Sequence, residues 1–294
     1  MKKDNLIRNV QDAINSIHFC GFEKGELIFR GQTNSEWDIL PTLFRKHPDE
    51  KMASLYEAAT IGPLFLNIKS PFVNSFDPIE LLMTSQHFGN PTRLLDWTSD
   101  VLIGLFFACF DPEKKEIDKN GRLILAEKSF FKTFKINTSE QNEYKFQLKP
   151  KNLNHYKKRF EINNIYIIEP MIKNPRMRAQ EGCFMFFPWK SRNDDKKLLT
   201  LNKYIREQRK WVDTQNENEN EKHSYVFIAH KDIAKESKSK ILKELENQYG
   251  ISEKTLFIDS KYSKETEKHF NNLKLYAEQK SLELKKTAAN IGYK

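Results

Sequence analysis

Residues 86–110 read QHFGNPTRLLDWTSDVLIGLFFACF. The second part, Val101 to Phe110, is apolar nearly all round, which predicts a helix buried in the protein rather than lying on its surface. It is far short of the roughly 20 apolar residues that a membrane span needs. Thr98, Ser99 and Asp100 stand where a cap for its first free N–H groups is required. The first part of the segment predicts a break. Pro91 biases Asn90 away from the helical region, and Gly89 permits the turn. A helix over 77–88 therefore stops near His87, and the residues from there to Asp100 read as a stiff connection between two helices. Arg93 and Asp96 are close enough in sequence to pair, which would simply close the loop. The sharper reading has His87 and Arg93 facing a cleft from a rigid frame, beside a helix N-terminus that attracts anions.

On either side of this block the pattern predicts helices over 4–19, 49–68 and 231–249, the last ended by Gly250. Strands are expected at 26–31, 122–127, 164–170, 181–188 and 224–229, with TLFID (255–259) as a last strand or turn. Residues 131–160 show no clear period, and 213–222 form a low-complexity surface loop. The tail beyond Tyr262 has a loose helical period through Phe270, Leu273, Ala277 and Leu284. Strands and helices mix without strict alternation. The expected fold class is α+β: a single mixed domain with a central, mostly antiparallel sheet flanked by helices, plus N- and C-terminal helices. The expected divisions are 1–24, 25–260 and 261–294, with the Lys-rich last helix available to a protein partner.

The 294 residues are enough to bury a sizeable core, and with 22 Phe, 10 Tyr and 4 Trp the chain is not a disordered one. A formal net charge of +9 favours a polyanionic partner, a nucleotide or a nucleic acid, although many of the lysines alternate with Glu as on a solvated surface. Trp189 and Trp211 flank the basic stretch 190–210, where base stacking and a solvated face are both open. The three scattered cysteines, Cys20, Cys109 and Cys183, do not make a disulfide framework or a zinc site, and with an N-terminus lacking a signal-like apolar core they suggest a cytoplasmic, non-membrane protein.

Arg30 ends a strand and is followed by Gly31, where another backbone or a ligand can come close. An Arg there suits a bidentate hold on phosphate, or it bridges two loops. Arg176 and Arg178 precede a second strand. Simple alternation places Arg178, Gln180, Gly182 and Phe184 on one face and Glu181 on the other, unless a bulge intervenes. Arg30, His87, Arg93, Arg178 and Gln180 together suit an anionic ligand. They do not suit a hard divalent cation, so no metal is expected.

Two blocks carry a family resemblance. ELIFRGQTNSEWDILPTLFR (26–45) and the opening segment (86–110) closely resemble the FRG domain, whose signature is here Phe29, Arg30 and Gly31. RMRAQEGCFMFF (176–187) is similar to that family's Arg-x-x-x-Gln-x-Gly-x-Phe pattern, through Arg176, Gln180, Gly182 and Phe184, and ILKELENQYGISEKTLF (241–257) to its closing helix and turn. The layout is also similar, more distantly, to ADP-ribosyltransferases. That similarity implies Arg30 on the phosphates of NAD, Thr98 or Ser99 orienting a ribose, and Glu181 or Gln180 stabilising an oxocarbenium-like transition state. The implied function is an enzyme acting on NAD or another nucleotide, as a toxin or antiphage effector. A metal-independent nuclease or phosphotransfer enzyme using His87 is one alternative. A non-catalytic module binding nucleic acid or protein is the other.

Overall fold

The computed structural model describes residues 6–18, 27–66, 78–87, 89–135, 165–170, 175–187 and 228–258, together with positions 272, 275, 278, 279, 282, 283 and 286. Seven strands make one sheet: β1 (Leu27–Gln32), β2 (Leu94–Thr98), β3 (Gly121–Glu127), β4 (Lys132–Lys135), β5 (Tyr166–Glu169), β6 (Gly182–Phe186) and β7 (Ile228–Ile233). Their order across the sheet is β4-β5-β6-β2-β1-β3-β7. The β4–β5 pair is parallel and every other pair is antiparallel. The fold is therefore α+β around a mostly antiparallel sheet.

Period-2 alternation divides the apolar strand residues between two faces. On one face Ile28, Leu95, Trp97, Ile124 and Met185 pack with Leu43 and Phe44 of α2 (Thr42–Lys46) and with Ala53 and Tyr56 of α3 (Glu50–Leu66). On the other, Leu27, Phe29, Leu123 and Leu125 pack with α1 (Val10–His18), with α5 (Val101–Cys109) and with Ile241 and Leu245 of the helix Lys238–Tyr249. The helix α4 (Pro78–His87) leads into the opening segment. Apolar residues thus serve both faces, and a helix layer covers each.

α5 forms where the apolar run predicts it. Asp100 is the cap, its Oδ1 accepting from the N–H groups of Leu102 at 2.6 Å and Ile103 at 3.3 Å. The helix lies against β1 at Gly31: a Cβ built there would sit 2.2 Å from both Ala108 N and Gly104 O, so only glycine allows this approach.

Four sequence expectations need correction. The segment read as a connection between two helices contains β2, a strand in the middle of the sheet. Its five residues offer too short an alternation to stand out between a turn and a helix cap. Residues 224–227 of the strand expected at 224–229 lie outside the described residues; the described strand Ile228–Ile233 takes residues assigned to the following helix, which starts at Lys238. TLFID contributes to the short helix α8 (Glu253–Leu256), started by a capping box between Ser252 and Thr255. Pro175–Ala179 is a helical turn, α6, rather than the lead-in to a strand. Lys238–Tyr249 is α7; it ends at Gly250 in the left-handed conformation (φ 67°).

Cys109 and Cys183 are buried free thiols. Among the described residues no helix is long and apolar enough to cross a membrane. Cys20, Trp189, Trp211, the basic stretch 190–210 and the low-complexity loop lie outside the described residues.

Candidate functional site

β1 and β3 pair along the whole of Leu27–Gln32, whereas β1 and β2 share a single register pair, Phe29 with Thr98. Continued, that ladder would set Arg30 against Trp97 and Gly31 against Asp96. These four residues instead line a pocket of about 340 Å³. The strands part, and the site occupies the gap. Arg30 Nη1 donates to the Asp96 backbone carbonyl at 2.7 Å, supplying the donor that the interrupted ladder does not.

Among the described residues no carboxylate forms an ion pair with Arg30. Its side chain is half-buried with its Nε covered, and desolvation pushes its pKa down to about 10; Asp96 opposes the shift and Arg45 adds to it. It remains cationic at neutral pH. Arg30 Nε, Gln32 Oε1 and Trp97 Nε1 are buried without a hydrogen-bond partner, and all three residues line the pocket. Unsatisfied buried polar atoms are rare, and three around one cavity ask for a ligand or water to complete them.

Arg176 brings a second guanidinium to the wall, lying 4.6 Å from the ring centroid of Phe257. Arg45 brings a third, from α2; its Nη2 donates to Thr42 Oγ1 at 2.8 Å and it lies over Trp37, 6.0 Å from the ring centroid. Sequence reading assigned no role to Arg45 or Trp37. Both stand in the block 26–45 that carries the family resemblance, and that was the available signal. Asp96 is the exposed residue of β2, its Oδ1 accepting from Gln86 Nε2 at 2.6 Å.

His87 lines the pocket at the end of α4. Burial, and then the nearby Arg176 charge, push its pKa down to about 4. It is neutral at pH 7, able to accept a proton but not to deliver one as a general acid. Thr98 lines the pocket, and its Oγ1 accepts from the Asp100 N–H at 3.1 Å. Gln180 lines it too, with Nε2 donating to the Leu256 carbonyl at 3.1 Å.

Glu181 does not follow strand alternation. It lies in the turn after α6 with a positive φ of 44°, a conformation costing a non-glycine residue about 1–2 kcal/mol. That turn brings it onto the end of β2. Ser99 Oγ donates to Glu181 Oε2 at 2.8 Å, and Ser99 N–H to the Glu181 carbonyl at 3.2 Å. The pair is exposed and outside the pocket lining, while its chain neighbours Thr98, Gln180 and Gly182 belong to it.

Two of the expected residues lie elsewhere. Arg93 is buried on the other side of β2, where its Nε donates to both Glu57 oxygens at 2.9 and 2.8 Å. It pairs neither with Asp96 nor with the pocket, because its acidic partner comes from α3. Arg178 is exposed and outside the pocket wall. The structure thus brings together Arg30, Gly31, His87, Asp96, Thr98, Arg176 and Gln180, with Ser99 and Glu181 at the rim. Among the described residues no cluster of His, Cys, Asp and Glu has the arrangement to hold a metal ion.

No curated protein and no solved structure matches the chain. The family model of the FRG domain matches residues 25–117. The matched span runs from β1 through α5 and holds Arg30, Arg45, His87 and Asp96: this chain carries an FRG domain.

Proposed function

We propose that the pocket binds NAD and that the protein transfers its ADP-ribosyl group, or releases it to water. The observation that carries this reading is Arg30: a half-buried guanidinium that, among the described residues, has no ion pair and an Nε without a hydrogen-bond partner, set in a gap between two strands. Such a group suits the phosphates of a dinucleotide, with Arg45 and Arg176 adding to the field. The Ser99–Glu181 pair sits where a ribose beyond the phosphates would reach the rim. Glu181 faces the positive charge that develops at the ribose C1′ as the bond to the nicotinamide nitrogen breaks, its electron pair leaving with nicotinamide. Ser99 holds the carboxylate in place. The acceptor's O–H or N–H then bonds to C1′ and gives up its proton, for which Glu181 is the nearest base. Depletion of NAD, or modification of a cellular target, would make the protein a toxin or antiphage effector.

Purified full-length protein incubated with labelled NAD and cell extract should give free nicotinamide, with label on a macromolecule or as ADP-ribose. Arg30→Ala and Glu181→Gln should each reduce turnover about 100-fold or more while melting like wild type. Absence of turnover, or unchanged turnover in both variants, refutes the reading. Salt-dependent binding of a nucleic acid without turnover would identify a binding module instead. Metal-free cleavage of nucleic acid lost in His87→Ala would identify the nuclease.

A further inference from the structure

A pocket walled by three guanidinium groups should rank anions by their charge and hold a polyphosphate best. One feature of its wall opposes that ranking. β2 is a central strand, flanked by Leu95 and Trp97 in the core, yet its Asp96 is exposed and lines the pocket. One hydrogen bond tethers the carboxylate, and the backbone beneath it is held as well. Its Oδ1 accepts from Gln86 Nε2 at 2.6 Å, Gln86 Oε1 in turn accepts from Thr92 Oγ1, and the Asp96 carbonyl is tied to Arg30. Among the described residues it forms no ion pair at contact distance; it acts on Arg30 and Arg45 from farther off, which leaves its carboxylate open to the ligand space. An ionised carboxylate accepts hydrogen bonds and cannot donate them.

We propose that Asp96 is the residue that sets ligand selectivity, admitting a nucleotide that places sugar hydroxyls beside a short phosphate bridge and rejecting longer polyphosphates. This rests on the nucleotide-binding reading above. NAD and ADP-ribose fit: their ribose hydroxyls can donate to the free lone pairs of Asp96 while the phosphates lie on Arg30. ATP brings more negative charge past a fixed negative group, and inorganic pyrophosphate brings charge with no hydroxyl of its sugar kind to offset the repulsion. Asp96 therefore acts by binding discrimination, not in the bond-breaking step.

The test is titration calorimetry on the full-length protein at fixed ionic strength with EDTA present, using NAD, ADP-ribose, ATP and pyrophosphate. Wild type should bind NAD and ADP-ribose more tightly than ATP or pyrophosphate. Asp96→Asn, which can still accept from Gln86, should shift the NAD-to-ATP affinity ratio toward ATP by about tenfold or more, and Asp96→Glu should keep the wild-type order. A merely structural Asp96 would change all four affinities together and leave the ratio where it was. That result, or a wild type that prefers ATP, overturns the selectivity role while leaving a nucleotide pocket in place. If none of the four ligands binds, the nucleotide reading falls and this inference falls with it.

Discussion

Removing the charge of Glu57 should destabilise the protein severely, although this residue does not line the pocket described above. Glu57 and Arg93 form an ion pair whose side chains are only 9% and 4% exposed. The guanidinium also donates from Nη1 to the Phe187 carbonyl at 3.3 Å and lies 4.8 Å from the Phe186 ring centroid. At a charge separation of about 4 Å and an effective dielectric of about 20, the attraction is about 4 kcal/mol. Breaking a buried pair by removing one partner costs about 3–5 kcal/mol, because the other charge is left uncompensated. Glu57→Gln preserves shape and one acceptor, so a loss of about 3 kcal/mol in urea unfolding, at unchanged m, is expected. The double variant Glu57→Leu/Arg93→Met removes both charges and should recover at least about 2 kcal/mol relative to the sum of the single losses. Strict additivity, or a Glu57→Gln loss below about 1 kcal/mol, refutes the buried-pair account. The same double variant separates fold from site: it should keep ligand binding, and a folded double variant that has lost it would return Arg93 to the ligand.

Gly31→Ala should unfold or strongly destabilise the protein, by about 3 kcal/mol or more, since its Cβ would lie 2.2 Å from α5 backbone atoms; solubility and the urea midpoint check it. Asp100→Ala should cost about 1 kcal/mol in the same assay through loss of the α5 cap, and Asp100→Asn clearly less. His87 has a native pKa of about 4, below its ordinary 6.5, so between those values the unfolded chain binds a proton that the native protein does not. Its contribution to stability is complete above about pH 6.5 and is lost as the pH falls toward 4; His87→Gln should flatten the stability profile in that window, and an unchanged slope would contradict the burial of a neutral imidazole.

Legibility in the sequence followed locality. α5 was readable to within a residue because everything that defines it is adjacent: an apolar run, Asp100 before it and Asp111-Pro112 after it. The α3 period and the Gly250 stop are local in the same way, whereas the helix expected over 4–19 begins only at Val10, because Ile7 is bridged to Ile233 far along the chain. β2 was not readable, since its identity as a strand comes from pairing with β6, residues more than eighty positions away. Arg93 fails for the same reason. Its neighbours suggest Asp96, while its partner Glu57 stands 36 positions back in the chain. Glu181 was assigned to a strand face because alternation was extended through it; a single left-handed residue resets the direction, and nothing in Gln180-Glu181-Gly182 specifies which of the three adopts it. Arg30 was legible as a candidate because an Arg before a Gly at a strand end narrows the options, and the structure places it in the pocket wall.

That Arg-Gly pair also explains why site and core cannot be separated here. Along β1 the side chains alternate, so Ile28, Arg30 and Gln32 take one face and Leu27, Phe29 and Gly31 the other. The absent side chain at Gly31 lets α5 lie directly on the strand, which fixes the height and twist of β1 at this point. Arg30, the next residue back, is thereby held over the gap that opens toward β2, and its guanidinium reaches the Asp96 carbonyl across it. A sheet that pays for one interrupted ladder gains a cleft reaching residues from both faces: Arg30, Gln32 and Trp97 from one, Asp96, Thr98 and Phe184 from the other. An intact β1–β2 ladder would be the more stable sheet and would close the pocket. At that opening stands the half-buried guanidinium of Arg30, which among the described residues makes no ion pair.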